Sequence, residues 1–279
     1  MTNIAVYAGN QGANTINTGA DYSPFIWKNC PIREIRDGTT LGWYIDSDFS
    51  DDAVVCATNQ AETTFGNKYY VRTDDVATIS IADAVGGAIT LSAADDNEGC
   101  GIRSIARPFQ IIRGNGSLWF EARIKSSTIT DTKVGFFVGL AEAMTLSAIL
   151  PIQASGVIAD KNLVGFHRLE GDGDQLDAIY KSDGVTAVSN ADVCPTALVA
   201  DTYVKVGMYY NADSYVLTYY INGVSVATKT ITAATAPTST PDDFPVDVRM
   251  GLILATLNAA GSTPGTVTIE KWRCYQLGT

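Results

Sequence analysis

In the stretch LEGDGDQL, residues 169–176, the acids have a spacing that chemistry can use. Glu170, Asp172 and Asp174 fall at i, i+2 and i+4, so on a strand their carboxylates would line one face. A retaining glycosidase needs two carboxyl groups facing each other across the sugar bond, one as acid and one as nucleophile. Oxygen ligands gathered in a short loop would instead hold a hard cation such as Ca²⁺ or Mg²⁺. Gly171 and Gly173 point to a third arrangement. Glycine is depleted in strands and takes positive φ readily, so EGDGD reads as the turn between LVGFHRL and QLDAIYK, with its carboxylates splayed into solvent. That hairpin is the expected arrangement. It leaves no catalytic residue assigned, and Glu170, Asp172 and Asp174 stand only as candidate cation ligands.

Other reactive groups are sparse. His167 is the single histidine, which excludes a two-histidine metal site. No G-x-S-x-G accompanies it, so a structural or surface role is expected rather than a triad. The acidic runs SDFSDD (47–52) and DDNEG (95–99) offer oxygen ligands without the EF-hand spacing and read as polar loops. Asn115-Gly116-Ser117 matches the glycosylation sequon but reads as a turn, and no glycine loop suited to phosphate is present. Tyr209, Tyr210, Tyr215, Tyr219 and Tyr220 crowd one region, with Trp119 and Trp272 expected on neighbouring strands. Such rings can stack on sugars, but they also dominate packing area in sandwich cores, and packing is the expected role.

The charge balance narrows the partners. Thirty acidic against 19 basic residues give a formal net charge of −11, and no basic cluster is visible in the sequence. Nucleic acid is therefore not an expected partner, whereas an assembly partner carrying a basic patch is compatible. The five cysteines, Cys30, Cys56, Cys100, Cys194 and Cys274, are odd in number and widely spaced, without a C-x-x-C. Free thiols made in a reducing compartment are expected, with no cofactor. The start, MTNIAVYAGNQGAN, lacks the features of a secretory signal, and no apolar run approaches a membrane span.

Positioning falls to strands. Residues 1–37 read as an extended arm: AGNQGANTINTGA is small and polar, and DYSPFIWKNCPI adds Phe25, Ile26 and Trp27 as a cluster that should dock on its own domain or a neighbour. Residues 38–279 read as one β domain. Strands are expected at 41–45, 54–58, 68–73, 77–81, 88–92, 116–127, 133–142, 163–169, 175–181, 202–210, 214–228, 246–256 and 265–277. Asn222-Gly223 marks a tight hairpin, and Pro237, Pro241 and Pro245 mark a long loop. The one helical expectation is LAEAMTLSAIL, 140–150. In GSLWFEARIKSS, Leu118, Phe120, Ala122 and Ile124 should face a core, and Trp119, Glu121, Arg123 and Lys125 a wet or subunit-facing side. The fold class expected is all-β, a two-sheet antiparallel sandwich.

Residues about 85–277 resemble the concanavalin A-like lectin/glucanase jelly roll through GSLWFEARIKSS, VKVGMYYNADSYVLTYYINGVSVAT and the closing TVTIEKWRCYQL. The resemblance implies two stacked antiparallel sheets. Glucanase members carry E-x-D-x-E on a strand, and the nearest match here, Glu170 to Asp174, differs in its last acid. A narrower resemblance is to tailed-phage virion proteins, in which a segment like DAVGGAITLSAADDNEGCGI precedes the LWFEARIK strand behind an N-terminal arm. It implies a non-enzymatic decoration or cement protein on a capsid surface, made in a host cytoplasm. The major capsid protein and neighbouring copies in a homo-oligomer would be its partners, and Phe25, Ile26 and Trp27 its anchor. A carbohydrate-binding module of a tail fibre or spike is the alternative, and a glycoside hydrolase the third reading.

Overall fold

A computed structural model of the chain describes residues 23–38, 41–50, 55–82, 87–93, 95, 97–112, 116–130, 133–142, 158–169, 174–185, 188–190, 198–231, 244–258 and 265–278. Two short helices, α1 (Pro24–Trp27) and α2 (Ile32–Asp37), come first. Sixteen strands follow among the described residues. They are β1 (Gly42–Ser47), β2 (Gln60–Phe65), β3 (Tyr69–Thr73), β4 (Thr78–Ile81), β5 (Ile89–Ala93), β6 (Gly99–Ser104), β7 (Leu118–Ser126) and β8 (Val134–Ala141). Then come β9 (Leu163–Arg168), β10 (Asp177–Lys181), β11 (Val188–Asn190), β12 (Val204–Asn211), β13 (Val216–Ile221), β14 (Val224–Thr230), β15 (Gly251–Asn258) and β16 (Gly265–Leu277).

They form two antiparallel sheets. Sheet A has the order β14-β13-β12-β7-β16-β5-β4, with β1 also on β16; sheet B has the order β11-β10-β9-β8-β15-β6-β3-β2. Alternation decides which side chains meet between them. Leu118, Phe120, Ala122 and Ile124 of β7 enter the same buried cluster as Val134, Phe136, Val138 and Leu140 of β8. This is the inter-sheet core, as the period-two pattern predicts. Hairpin chemistry is equally local: Asn222 (φ 50°) and Gly223 (φ 79°) both sit at positive φ between β13 and β14, the geometry that asparagine and glycine tolerate best. Between β9 and β10 the chain also reverses, with His167 opposite Asp177.

Several elements differ from the sequence reading. Of the strand expected at 54–58, residues 55–58 contribute only an isolated bridge at Cys56 to Ile79, and residue 54 lies outside the described residues. Strands β2 and β6 were not expected, because QAETTF is polar and GCGIRS is rich in glycine. The arm is not extended over its last fifteen residues. Ile26, Trp27, Cys30, Ile32 and Ile35 are spaced to share one side of α1 and α2, and all five are buried against Trp119 and Tyr275 on the outer face of sheet A. That burial also corrects the expected wet face of β7: Trp119 and Glu121 are buried, whereas Arg123 and Lys125 keep partial exposure. The expected helix at 140–150 begins as the end of β8, and its remainder after Glu142 lies outside the described residues.

Candidate functional site

Three places gather polar side chains: the outer face of sheet B, the seat of α1 on sheet A, and a pocket beside β1. On sheet B the residues that point away from the core include His167, Asp177, Ile179, Phe137, Ile253 and Leu257. A second apolar cluster, formed by Phe137, Ala141, Ala159, Leu163, Ile179, Ile253 and Leu257, fills much of this face. Gly139 and Gly165 oppose each other on β8 and β9. A Cβ on Gly165 would sit 2.8 Å from Gly139 Cα and 3.0 Å from Phe137 Cζ, so the two strands and the ring occupy the space a side chain would need.

Among the described residues, carboxylates near this face are engaged by different groups of the protein. Asp177 Oδ2 lies 3.0 Å from His167 Nε2, with side-chain exposures of 11% and 4%. Asp160 takes Lys181 at 3.3 Å and accepts the Gly184 N–H. Asp74 pairs with Arg72 at 2.8 Å, and Glu62 pairs with Arg103, whose guanidinium also lies over the Tyr70 ring. Glu142 accepts both the backbone and side-chain N–H groups of Asn162. The register runs from Asp177 through His167, Phe137, Ala255 and Gly101 to Arg72, five strand steps. At the usual strand spacing that is about 24 Å, far beyond the roughly 5–9.5 Å over which two carboxyl groups work on one glycosidic bond. Among the described residues no cluster of three or more His, Cys, Asp or Glu suits a metal ion.

On sheet A a buried carboxylate organises the arm. Glu121 Oε2 accepts the Trp27 Nε1–H at 2.8 Å and the Ser23 backbone N–H at 3.0 Å. Gly207 stands opposite Glu121 on β12, and a Cβ there would overlap Ile26 Cδ1, so glycine makes the seat for α1. On the far side Arg273, opposite Glu121 on β16, approaches Asp46 of β1 at 3.8 Å, and Asp46 also accepts the Tyr275 hydroxyl at 2.8 Å.

The pocket lies between β1 and the ends of β3 and β6. Its volume is about 360 Å³, and Tyr44, Ile45, Asp46, Asn67, Lys68 and Tyr69 line most of it. Tyr44 is 42% exposed and stacks on Tyr275 with centroids 5.3 Å apart. Sequence reading placed no site here. Two adjacent aromatics on an edge strand, Trp43 and Tyr44, were the available signal.

The fold invites comparison at this point. The chain matches no protein-family profile and no well-characterised relative in sequence. In structure it is similar to peanut lectin, with TM-score 0.52 and 13% identity over 85% of this chain and 99% of that one. It is similar to a protein from work on endo-acting O-glycanases of human gut bacteria that initiate mucin breakdown, with TM-score 0.50 and 13% identity over 84% of this chain and 99% of that one. The fold is a lectin-like jelly roll.

Within that jelly roll, the residues singled out from sequence scatter. Glu170 and Asp172 lie outside the described residues; Asp174 is in a turn, where its carboxylate accepts the Gln175 side-chain N–H. Of the anchor trio, Ile26 and Trp27 are buried in the protein's own sheet, and Phe25 alone is exposed, at 74%. Tyr210 and Tyr219 belong to the inter-sheet core, and Trp119 stacks on Tyr209 at 5.5 Å. Cys30, Cys56, Cys100 and Cys274 are free and buried. Burial pushes the thiol pKa of all four up.

Proposed function

We propose that the chain is a non-enzymatic structural module that decorates a virion shell. One observation carries the non-catalytic part of this reading: among the described residues the carboxylates around sheet B are engaged by other groups of the protein, and the apolar cluster around Phe137 fills much of the face. Asp177 and the Arg72–Asp74 pair, about 24 Å apart along the register, cannot serve one glycosidic bond together. The virion part rests on the sequence resemblance. Phe25 is the anchoring side chain left available once Ile26 and Trp27 are buried. Aromatic groups of this kind dominate interface energies. Immunolabelled electron microscopy of purified particles tests the reading: label on the shell, weakened by Phe25→Ala, is expected, and particles free of the protein would refute it.

The pocket beside β1 favours carbohydrate binding as a second reading. It presents one exposed ring, a carboxylate, an amide and an ammonium, a donor and acceptor set suited to a polyhydroxylated ligand, and its size is that of small-molecule sites. A glycan array gives a signal that Tyr44→Ala abolishes if this reading holds, and a blank array dismisses it.

A further inference from the structure

The pocket beside β1 and the arm share a wall. Tyr44, Ile45 and Asp46 of β1 line the pocket, and among the described strands β1 pairs only with β16. Tyr44 stands opposite Tyr275, and Asp46 opposite Arg273. Tyr275 belongs to the apolar cluster under α1 and α2, so alternation places Tyr44 and Asp46 on that same outer face of sheet A. The side chains that form one wall of the pocket are therefore backed by the ones on which the arm rests.

Both helices of the arm touch this wall. Trp27 of α1 meets Tyr275 edge to face with centroids 5.6 Å apart, and Tyr275 in turn stacks on Tyr44 and donates its hydroxyl to Asp46. Arg273 lies 6.0 Å from the Trp27 ring centroid and approaches the same Asp46 at 3.8 Å. Arg36 of α2 lies over the Tyr44 ring itself, at 5.9 Å. Glu121 holds Trp27 through the indole N–H, so the latch and the pocket wall act on one tryptophan.

We propose that the arm and the pocket form one coupled unit: seating of α1 and α2 sets the aromatic and acidic wall of the pocket, and a ligand held by that wall locks the arm down. The arm is the two-state element, seated or lifted, and both Glu121 and the pocket bias its equilibrium. Linkage makes the effect reciprocal. A ligand that prefers the seated arm lowers the lifted population by the ratio of its affinities for the two states. The ligand half rests on the carbohydrate reading of the pocket, whereas the contacts carry the coupling by themselves. Losing the Tyr44 ring removes the cation–π contact with Arg36 and the stack that supports Tyr275, which amounts to about fivefold in the opening of the arm, the low end of couplings between sites.

Alkylation of the full chain under native conditions tests it, with each cysteine read by peptide mass spectrometry. Cys30 is buried beneath the arm and reports lifting, and Cys100 in the inter-sheet core reports global unfolding. Tyr44→Ala should raise the Cys30 rate about fivefold and leave Cys100 unchanged, whereas Tyr44→Phe, which keeps the ring, should match wild type. Trp43→Ala removes the neighbouring exposed ring, which alternation turns to the other face of β1, and should leave Cys30 unchanged. The methyl glycosides of glucose, galactose and mannose are then added in turn. One that binds should slow Cys30 alkylation about fivefold at saturation in wild type and leave the rate in Tyr44→Ala unchanged. If none binds, the carbohydrate reading falls and the variants alone decide the coupling. An unchanged Cys30 rate in Tyr44→Ala, a rise shared by Cys100, an equal rise in Trp43→Ala, or a glycoside that binds through Tyr44 without slowing Cys30 would each overturn the proposal.

Discussion

Glu121→Ala should open the arm without opening the sandwich. The carboxylate accepts two hydrogen bonds, from Trp27 and from the Ser23 backbone, and both close the same segment onto sheet A. A hydrogen bond to a charged group contributes about 1.5–3 kcal/mol net, so losing two at the lower end costs about 3 kcal/mol. Each 1.4 kcal/mol is roughly tenfold in an equilibrium constant, so the population with α1 lifted rises about a hundredfold. Cys30 reports this directly, because it is fully buried under the arm with Trp27, Trp119 and Tyr275. Its rate of alkylation under native conditions, read by peptide mass spectrometry, should rise by that factor. Cys100 lies in the inter-sheet core and serves as the reference for global unfolding. Glu121→Gln keeps an acceptor but not the charge and should give an increase nearer tenfold, since charge assistance roughly doubles such bonds. An unchanged Cys30 rate in Glu121→Ala would refute the reasoning. So would a wild type in which Cys30 and Cys100 react at the same rate, because the arm would then not move separately.

Further outcomes are as specific. Gly165→Val should destabilise by at least about 1–3 kcal/mol in urea, since even its Cβ crowds Gly139 and Phe137 across the β8–β9 pair. Arg168→Met should cost about 3 kcal/mol by the same measurement: the buried guanidinium donates to the Val134 and Thr130 carbonyls, which a thioether cannot replace. Glu98→Gln should melt higher than wild type at neutral pH and equally at acid pH. Its raised folded pKa means that the native state holds the proton more tightly, so wild-type stability falls as pH rises past the ordinary carboxylate range, and the variant lacks that loss. A Glu98→Gln advantage that persists at acid pH would contradict this.

The layered β architecture was legible because it is a local property. Alternation in LWFEARIK names Leu118, Phe120, Ala122 and Ile124 as inward, and Asn-Gly names a hairpin, without knowledge of any partner strand. Strands β2 and β6 were not legible, because their residues carry little β signal and are held by neighbours: β6 lies between β3 and β15. The same limit applies to function. The spacing of Glu170, Asp172 and Asp174 was visible, but whether carboxylates converge depends on strands far apart in sequence.

Sequence by itself determined a two-layer sandwich and the core face of β7, since a period of two is written into its neighbouring residues. Tertiary structure alone decided what became of the other faces. The polar side of β7 is half roofed by α1, so Glu121 is a buried latch while Arg123, two residues on, belongs to a charged surface. It also decided that Trp27 serves its own domain and that Asp177 meets His167 instead of a second acid. The physical reason is that burial and pairing are set by which segments cross in space, and residues 94 positions apart, such as Trp27 and Glu121, leave no periodic trace of their contact.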